Sequence, residues 1–479
     1  MAGFSEIRAL LFLMVIVVVV AFVRPRLQDD RFSWSVIGFF IVATSIGFLA
    51  TIGPLFFAGY MIAALVFAAR RPMGLKFPAF LAAVPSGMSW MIPLPGFQQL
   101  FTLTPETALG ILSIRSAFKR APRVYRDPLA PVVVVLFLVM WLLGARATDL
   151  TFTNWLRGGL VDALGLLIPY FAVRNGFDDK GNFAAGMKGF LTFLIVLAAV
   201  GFWIRIRSWI FYAEMPLLSS EVYGPGVFRG GALRASGTVI SSMFSFLVLV
   251  GALLLWVFRN SVRSRPFLYA WLVALVLIAP LSASRGGLLG GLVAIGAYFV
   301  FSLRSAAMRR AIYVGSGLAA LALFVSINAI DWSAFDPYGT FEYRQRLLEA
   351  GWVKFQTAPL IGDENYREDP FFLPLIQGEG IIDFVNTYIQ FALRYGLLGF
   401  IPFLLMFAIP ILACLKASRL IAPDAFGPDV DAGALGRAVA ALLLGFAVVI
   451  FTTSPVGYVM PFIFVFPAIG MGYARVARR

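Results

Sequence analysis

Apolar residues in this chain fall in long unbroken runs rather than in an alternating rhythm. The runs at 10–22 and 132–143 contain no polar position at all. Apolar stretches near ~20 residues cross a bilayer as helices, whereas a membrane β-barrel shows ~10-residue alternating segments. The pattern predicts an all-α polytopic membrane protein. Candidate spans are 7–23, 34–51, 54–69, 77–93, 100–116, 129–144, 158–173, 187–204, 239–258, 267–280, 286–303, 311–330, 397–416, 433–453 and 456–474. Pro85, Pro93, Pro95 and Pro105 break two of them, 77–93 and 100–116, so either can be re-entrant or interfacial. About 12–15 transmembrane helices are expected. There is no internal repeat, and no inverted pair of broken helices of the kind transporters often show. The run at 7–23 lacks a small-x-small cleavage site and is followed by Arg24, Pro25 and Arg26, so it reads as a retained first span.

One stretch departs from this pattern, residues 331–399. It opens DWSAFDPYGTFEYRQRLLEAGWVKFQTAPLIGDENYREDPFFLPLIQGEGIID. Acidic residues there alternate with Arg344, Arg346, Lys354 and Arg367, and with Trp332, Tyr338, Tyr343, Trp352 and Tyr366. Both signs of charge, interleaved with aromatic and turn residues, suit a folded cap over a polar ligand better than a disordered linker. The domain reading is a helix bundle over 1–330, a large external loop over 331–395 and C-terminal helices over 396–479. Within the loop, 343–355 has helical spacing and ends near Pro359. Asp383 or Asn386 can cap a second helix, which Gly396 interrupts. Tyr388, Phe391 and Tyr395 on it read as membrane-interface anchors.

Composition sharpens the class. Only 13% of the residues are charged, against about 25% in soluble domains. The formal charge is +15, which in a soluble protein would suggest nucleic acid. Here the basic residues mark the cytoplasmic ends of spans, and no nucleic-acid partner is expected. The groups Arg70/Arg71/Lys76, Arg115/Lys119/Arg120/Arg123/Arg126, Arg259/Arg263/Arg265, Arg304/Arg309/Arg310, Lys416/Arg419 and Arg475/Arg478/Arg479 agree with one another. They place 145–157, 205–238, 282–287 and 331–396 outside; counting back puts the N-terminus outside too. Those external segments keep Arg146, Arg157, Arg205, Arg207, Arg229, Arg234, Arg285, Arg344, Arg346 and Arg367. Guanidinium forks match phosphate oxygens, so an anionic ligand would explain them; pairing with nearby carboxylates or lipid phosphate would also. One cysteine, Cys414, excludes an internal disulfide, and the chain has no histidine. The commonest general base and zinc ligand is therefore missing, and no metal site is expected.

Three motifs carry candidate chemistry. In LSASRGGLLGGLVA (281–294), Gly286 and Gly287 open a helix whose first amides favour an anion, with Arg285 beside them. The same residues suit a tight turn with small residues for helix packing and a snorkelling arginine. In VFRGGALRASGTV (227–239), Arg229 and Arg234 flank small residues near the external membrane edge. The third is 341–362 together with EGIIDFVNTYIQFALRYGLLGF (379–400).

The order of these motifs resembles the O-antigen ligase and polysaccharide polymerase superfamily. The likeness lies in an ASG turn after a basic residue, S-R-G-G between two spans, then a long external loop. That loop holds Arg, PLIGDENY, and D-x-x-N-x-Y-I-Q-x-x-x-R-Y-G-L-L-G-F. It covers roughly 234–400. The resemblance implies a C-type glycosyltransferase-like membrane fold, in the bacterial inner membrane with its active side periplasmic. It implies a lipid-linked glycosyltransferase that uses undecaprenyl-diphosphate-linked oligosaccharide, no nucleotide sugar and, in the ligases, no metal. A chain-length regulator and a flippase of the same pathway are implied partners, beside membrane lipid. It carries diphosphate binding onto Arg285, Arg344, Arg346 and Arg234, and substrate positioning onto Asn386, Tyr388, Gly286 and Gly287. Ligases have a His directly before the motif Asn; here Val385 stands there, which points towards a polymerase. Polymerases also show an Arg followed eleven positions later by Gly; Arg367 and Gly378 fit, a spacing that chance also supplies. Without histidine, a carboxylate must accept the proton: Asp383 first, Glu379 second. A ligase with another base and a transporter or flippase of the lipid-linked oligosaccharide are the competing readings. Transporters keep ionisable residues inside spans, and here Asp162 is the exception to charges at span ends.

Overall fold

The structure is a computed structural model. It describes residues 2–27, 31–49, 90–94, 97–118, 127–148, 150–177, 179–211, 228–229, 231–305, 307–312, 314–315, 340–376, 382, 384–455 and 458–479. The expected span 54–69, and most of 77–93 and 311–330, lie outside the described residues.

Helices α1 (Ala2–Val23) and α2 (Arg31–Leu49) precede a hairpin of β1 (Trp90–Leu94) and β2 (Phe97–Leu103). There follow α3 (Pro105–Phe118), α4 (Ala130–Gly144), α5 (Phe152–Asp162), a π-helical turn (Ala163–Leu167), α6 (Ile168–Gly176) and α7 (Lys180–Arg207). A second short hairpin, β3 (Phe228–Arg229) with β4 (Ala232–Leu233), leads into α8 (Ser241–Val257), α9 (Arg265–Ile278) and α10 (Arg285–Ser302). The cap holds α11 (Thr340–Thr357), and the chain closes with α12 (Thr387–Leu420), α13 (Ala432–Ile450) and α14 (Val459–Ala477). Among the described residues, eight helices are long and apolar enough to cross a membrane. The chain is an all-α polytopic membrane protein.

The expected span at 100–116 begins differently. Trp90–Leu94 and Phe97–Leu103 pair antiparallel, with a register shift between Ile92 and Leu94, around Pro93. Proline has no N–H for a helix interior and suits a bulge. The helix starts only at Pro105, behind Thr104, whose hydroxyl accepts from Thr107 N–H at 3.3 Å. This is a helix start with proline in the first turn.

The core is built where helices touch through glycine. A Cβ on Gly290 would lie 2.7 Å from Gly445 O, and one on Gly445 would lie 2.4 Å from Gly290 O. α10 and α13 therefore meet backbone to backbone, the small-residue packing that membrane helices use in place of a hydrophobic drive. α8 lies between them and α7 with nearly every side chain buried.

The two ends of the bundle differ. At one, Leu27 bridges Val262, Ser261 donates to Asp429 O (3.1 Å), and Arg475 reaches Asn175. There Arg174 and Asp127 form a buried pair at 2.9 Å, joined by Tyr170 OH at 3.2 Å. At the other end, Arg8 lies 4.8 Å from the Trp209 ring, beyond the close of α7. The start of α1 is thus on the side that also carries the 279–285 turn and the cap.

Candidate active site at the capped end of the bundle

Two motif segments converge here. In the first, Ala235 N–H donates to Leu281 O (3.0 Å) and Arg234 Nε donates to Ser282 O (2.8 Å). Ser245 of α8 donates to Ala279 O (2.7 Å) and shares a short hydrogen bond with the Ser282 hydroxyl. Ala283 is held at φ 51°, a left-handed conformation that costs a residue with a Cβ about 1–3 kcal/mol and that gathers at functional sites. Ser284 then caps α10, accepting from Gly287 N–H at 3.3 Å. Arg285 follows as the first helical residue, exposed and with no partner for its guanidinium among the described residues.

The two glycines beside it have separate duties. A Cβ on Gly286 would sit 1.8 Å from Thr452 Oγ1, and one on Gly287 would sit 2.4 Å from Ser242 O. Both positions are filled by neighbours, so packing demands glycine there. Ser284 already takes the Gly287 N–H, whereas the Gly286 N–H lies in the first turn, where a helix offers no acceptor.

The second segment enters from the cap. Asn386 caps α12, its Oδ1 accepting from Tyr388 N–H (2.9 Å) and Ile389 N–H (3.2 Å). The capping role open to Asp383 or Asn386 thus falls to Asn386. Thr387 Oγ1 donates to Thr453 O (2.6 Å), and Tyr388 OH donates to Ala447 O (2.9 Å). Thr452 and Thr453, just past α13, form the wall that both segments share. Arg234, Arg285, Gly286, Gly287, Asn386 and Tyr388 are thereby brought to one end of the bundle. The hydroxyls of Ser236 and Thr453 are buried there without a partner among the described residues. Tyr388, Phe391 and Tyr395 pack inward: Phe391 stacks on Phe403 at 4.2 Å and Tyr388 lies 5.3 Å from the same ring.

The cap carries the remaining arginines. Arg344 and Arg346 are exposed on α11, and Arg346 pairs with Glu342 at 2.5 Å. Asp383 and Glu379 lie outside the described residues, as do Trp332 and Tyr338. Arg367 is placed more tellingly than its spacing suggested. Its Nη2 donates to Gln390 Oε1 (3.0 Å) and its Nε to the Tyr366 hydroxyl (3.1 Å), while Gln390 Nε2 holds Phe384 O (2.7 Å). Gln390 stands one helical turn after Asn386. Its place in the N-x-Y-I-Q run was the signal that could have found this contact. Among the described residues, no group of three or more Cys, Asp or Glu side chains could hold a metal ion.

Residues 268–404 match the O-antigen ligase family (Wzy_C). The match supports the superfamily that the motif order suggests. The matched segment takes in Arg285, the whole described cap and the start of α12, and leaves out Arg234. Among curated proteins, none matches the chain.

PLIG in the matched segment has a mechanical role. Gly396 breaks α12 at φ 57°, ψ −159°. In an unbroken helix Leu397 N–H would bond Leu393 O, and Leu398 N–H would bond Arg394 O. Instead Leu397 N–H donates to Pro359 O (2.8 Å) and Leu398 N–H to Leu360 O (3.0 Å), while Leu393 O accepts from Asp363 N–H (2.7 Å). Arg146, from the far end of α4, reaches Arg394 O at 3.5 Å and donates to Gly362 O (2.9 Å) and Ile361 O (2.8 Å). The turn at 358–363 thus splints the broken helix. Among the described residues, the partners of the Arg146 guanidinium are backbone carbonyls. Arg394 closes the joint by pairing with Glu364.

The cap has its own ionic clasp. Lys354 contacts Asp363 at 2.9 Å and Asp369 at 2.5 Å. Partial burial pulls the Lys354 pKa down, but its bonds and charge interactions with Asp369 and Asp363 outweigh this and raise it. The Lys354 bond, then the Phe371 amide, hold Asp369 below its ordinary value. The Asp369 contribution is present above its unfolded pKa and lost as pH falls through the folded one. The Lys354 contribution is present below its unfolded pKa and lost as pH rises past the folded one. Protease resistance of the cap should therefore be greatest between about pH 4 and pH 10. Lys354→Met should flatten the acid limb of that profile.

Asn386 offers a separable test. Asn386→Ala should cost about 1 kcal/mol of stability from the lost cap, read as a lowered Tm in detergent. Asn386→Asp keeps the capping oxygen and should keep the Tm. An activity loss in that variant would then report on substrate, not on folding.

Proposed function

We propose that the protein is a polysaccharide polymerase. It would join undecaprenyl-diphosphate-linked oligosaccharide repeat units at the periplasmic face of the inner membrane, without a metal. The observation that carries this reading is that the turns holding Arg285 and Asn386, both within the segment that matches the O-antigen ligase family, meet one wall through their neighbours: Gly286 packs on Thr452 and Thr387 bonds Thr453. The bundle end remote from the cap carries Arg259, Arg263, Arg265, Arg475, Arg478 and Arg479, which supports a cytoplasmic side there and a periplasmic cap.

In this mechanism the acceptor hydroxyl oxygen attacks the anomeric carbon of the donor sugar. The bond from that carbon to the diphosphate oxygen breaks, and undecaprenyl diphosphate leaves with the electron pair. Arg285 and the free amide at the start of α10 meet the charge that develops on the leaving oxygen, with Arg234 behind them. Arg344 and Arg346 approach from the cap. Asn386 and Tyr388 set the floor on which the acceptor is oriented, Gly286 and Gly287 keep that floor close to α10, and Asp383, with Glu379 as second choice, takes the hydroxyl proton. The protein would work beside the flippase and chain-length regulator of its pathway.

A ligase that passes the glycan to lipid A-core is the second reading, favoured by the description of the matched family. The absence of histidine, with Val385 before Asn386, favours the polymerase. Reconstitution with the lipid-linked oligosaccharide alone, in EDTA, tests both. A ladder of repeats supports the polymerase. Transfer that appears only when lipid A-core is added supports the ligase. Binding of the lipid with neither product would sink both and favour a transporter.

A further inference from the structure

Helix α11 has three sides. Tyr343, Leu347, Ala350, Gly351 and Lys354 face inward, with Gly351 against Ile389 and Leu393 of α12. Glu342, Arg346 and Glu349 mark a polar flank. The opposite flank is apolar: Leu348 and Trp352, 50% and 60% exposed, lie one turn apart, and Trp352 stacks on Phe355 at 5.8 Å. Nothing among the described residues covers it.

What lies beyond its C-terminal end identifies the occupant. The helix runs directly into Leu360 and Ile361, both exposed. Their turn is bonded backbone to backbone onto Leu397 and Leu398, where the membrane-crossing half of α12 begins. Leu397, Leu398 and Ile401 are exposed in turn and open the outward apolar face of that span. Past the exposed Gln356 and Thr357, the apolar flank of the cap therefore resumes at the outward apolar face of the span. Arg344 stands one turn before Leu348 on the same flank, where a guanidinium can snorkel to phosphate at the membrane surface, a lipid's or the lipid-linked substrate's. Tryptophan at such a boundary suits the headgroup region.

We propose that α11 is a membrane-interface helix whose Leu348–Trp352–Phe355 flank rests in the outer leaflet of the bilayer. It would moor the cap to the surface from which a lipid-linked substrate arrives. This placement stands or falls independently of the reaction proposed above.

The test is depth. With the buried Cys414 replaced (Cys414→Ala), single cysteines are introduced as Leu348→Cys, Trp352→Cys, Glu349→Cys and Leu398→Cys in the full-length chain. Each is spin-labelled and reconstituted into phosphatidylethanolamine/phosphatidylglycerol vesicles. Labels at 348 and 352 should be accessible to oxygen and shielded from a water-soluble nickel chelate, as at 398, with an oxygen-to-nickel ratio several-fold above that at 349. Equal nickel access at 348, 349 and 352 would overturn the proposal. Shielding of 348 and 352 from both reagents would overturn it too, since a protein partner would then cover the flank. Retention of a monodisperse peak in detergent confirms that each variant is folded.

Discussion

Arg285→Ala is expected to slow polymer formation by about 100- to 1,000-fold, the cost of losing one well-placed donor to a developing oxyanion. Its expression and Tm should match the parent's. The guanidinium has no partner among the described residues, so its removal strands no buried charge. Arg285→Lys should fall between, since a lysine keeps the charge but not the two-pronged donor geometry. Arg346→Ala should cost less, because Glu342 already shares its charge; with side chains 64% and 69% exposed, that pair is worth only about 0.3–0.5 kcal/mol to the fold. Rates come from product ladders at matched protein levels. If Arg285→Ala and Arg346→Ala both left polymer length and yield unchanged, the diphosphate assignment would fail.

Gly396→Ala is expected to be the most damaging single-methyl change in the segment. Alanine at φ 57°, ψ −159°, a region that glycine almost alone occupies, costs about 1–3 kcal/mol by conformation alone. The added Cβ would also lie 2.4 Å from the backbone C and O of Leu360, where neither side can rotate away. Overpacking of this kind adds about 1–3 kcal/mol. Gly362→Ala should behave alike, since it sits at φ 65° and its Cβ would meet Leu393 O at 2.5 Å. The two glycines face each other across the same joint, so the double variant should cost less than the sum. Thermal unfolding in detergent with limited proteolysis of the cap reads the effect. Gly296→Ala, in a helix with open space around its Cα, is the tolerated control.

The sequence reading placed most of the described spans because unbroken apolar runs have one solution in a bilayer. It also located the cap helix and the break at Gly396, where helical spacing and a glycine speak locally. It placed 90–93 and 100–104 in two candidate spans, each open to a re-entrant or interfacial reading, because the run is apolar and only its prolines argue otherwise. Gly286 and Gly287 illustrate a different limit. Their sequence admits an anion cradle and close packing equally, and the choice depends on Thr452, Ser242 and Ser284, the first two distant in the chain. Arg146 and Arg367 were visible as external arginines. Their partners, carbonyls more than 200 residues away and Gln390, follow from tertiary contacts that no local pattern encodes.

The splint at Gly396 also limits how the cap can move. Lifting the turn at 358–363 would strip partners from Leu397 N–H, Leu398 N–H and Leu393 O together, at about 1–3 kcal/mol for each group left buried and unpaired. Such a cap does not swing open as a hinged door does, at least not at this edge. Under the proposed reaction, traffic must then pass underneath or beside it: a lipid-borne substrate would slide in along the plane of the bilayer, and the product would leave through a doorway whose lintel stays put.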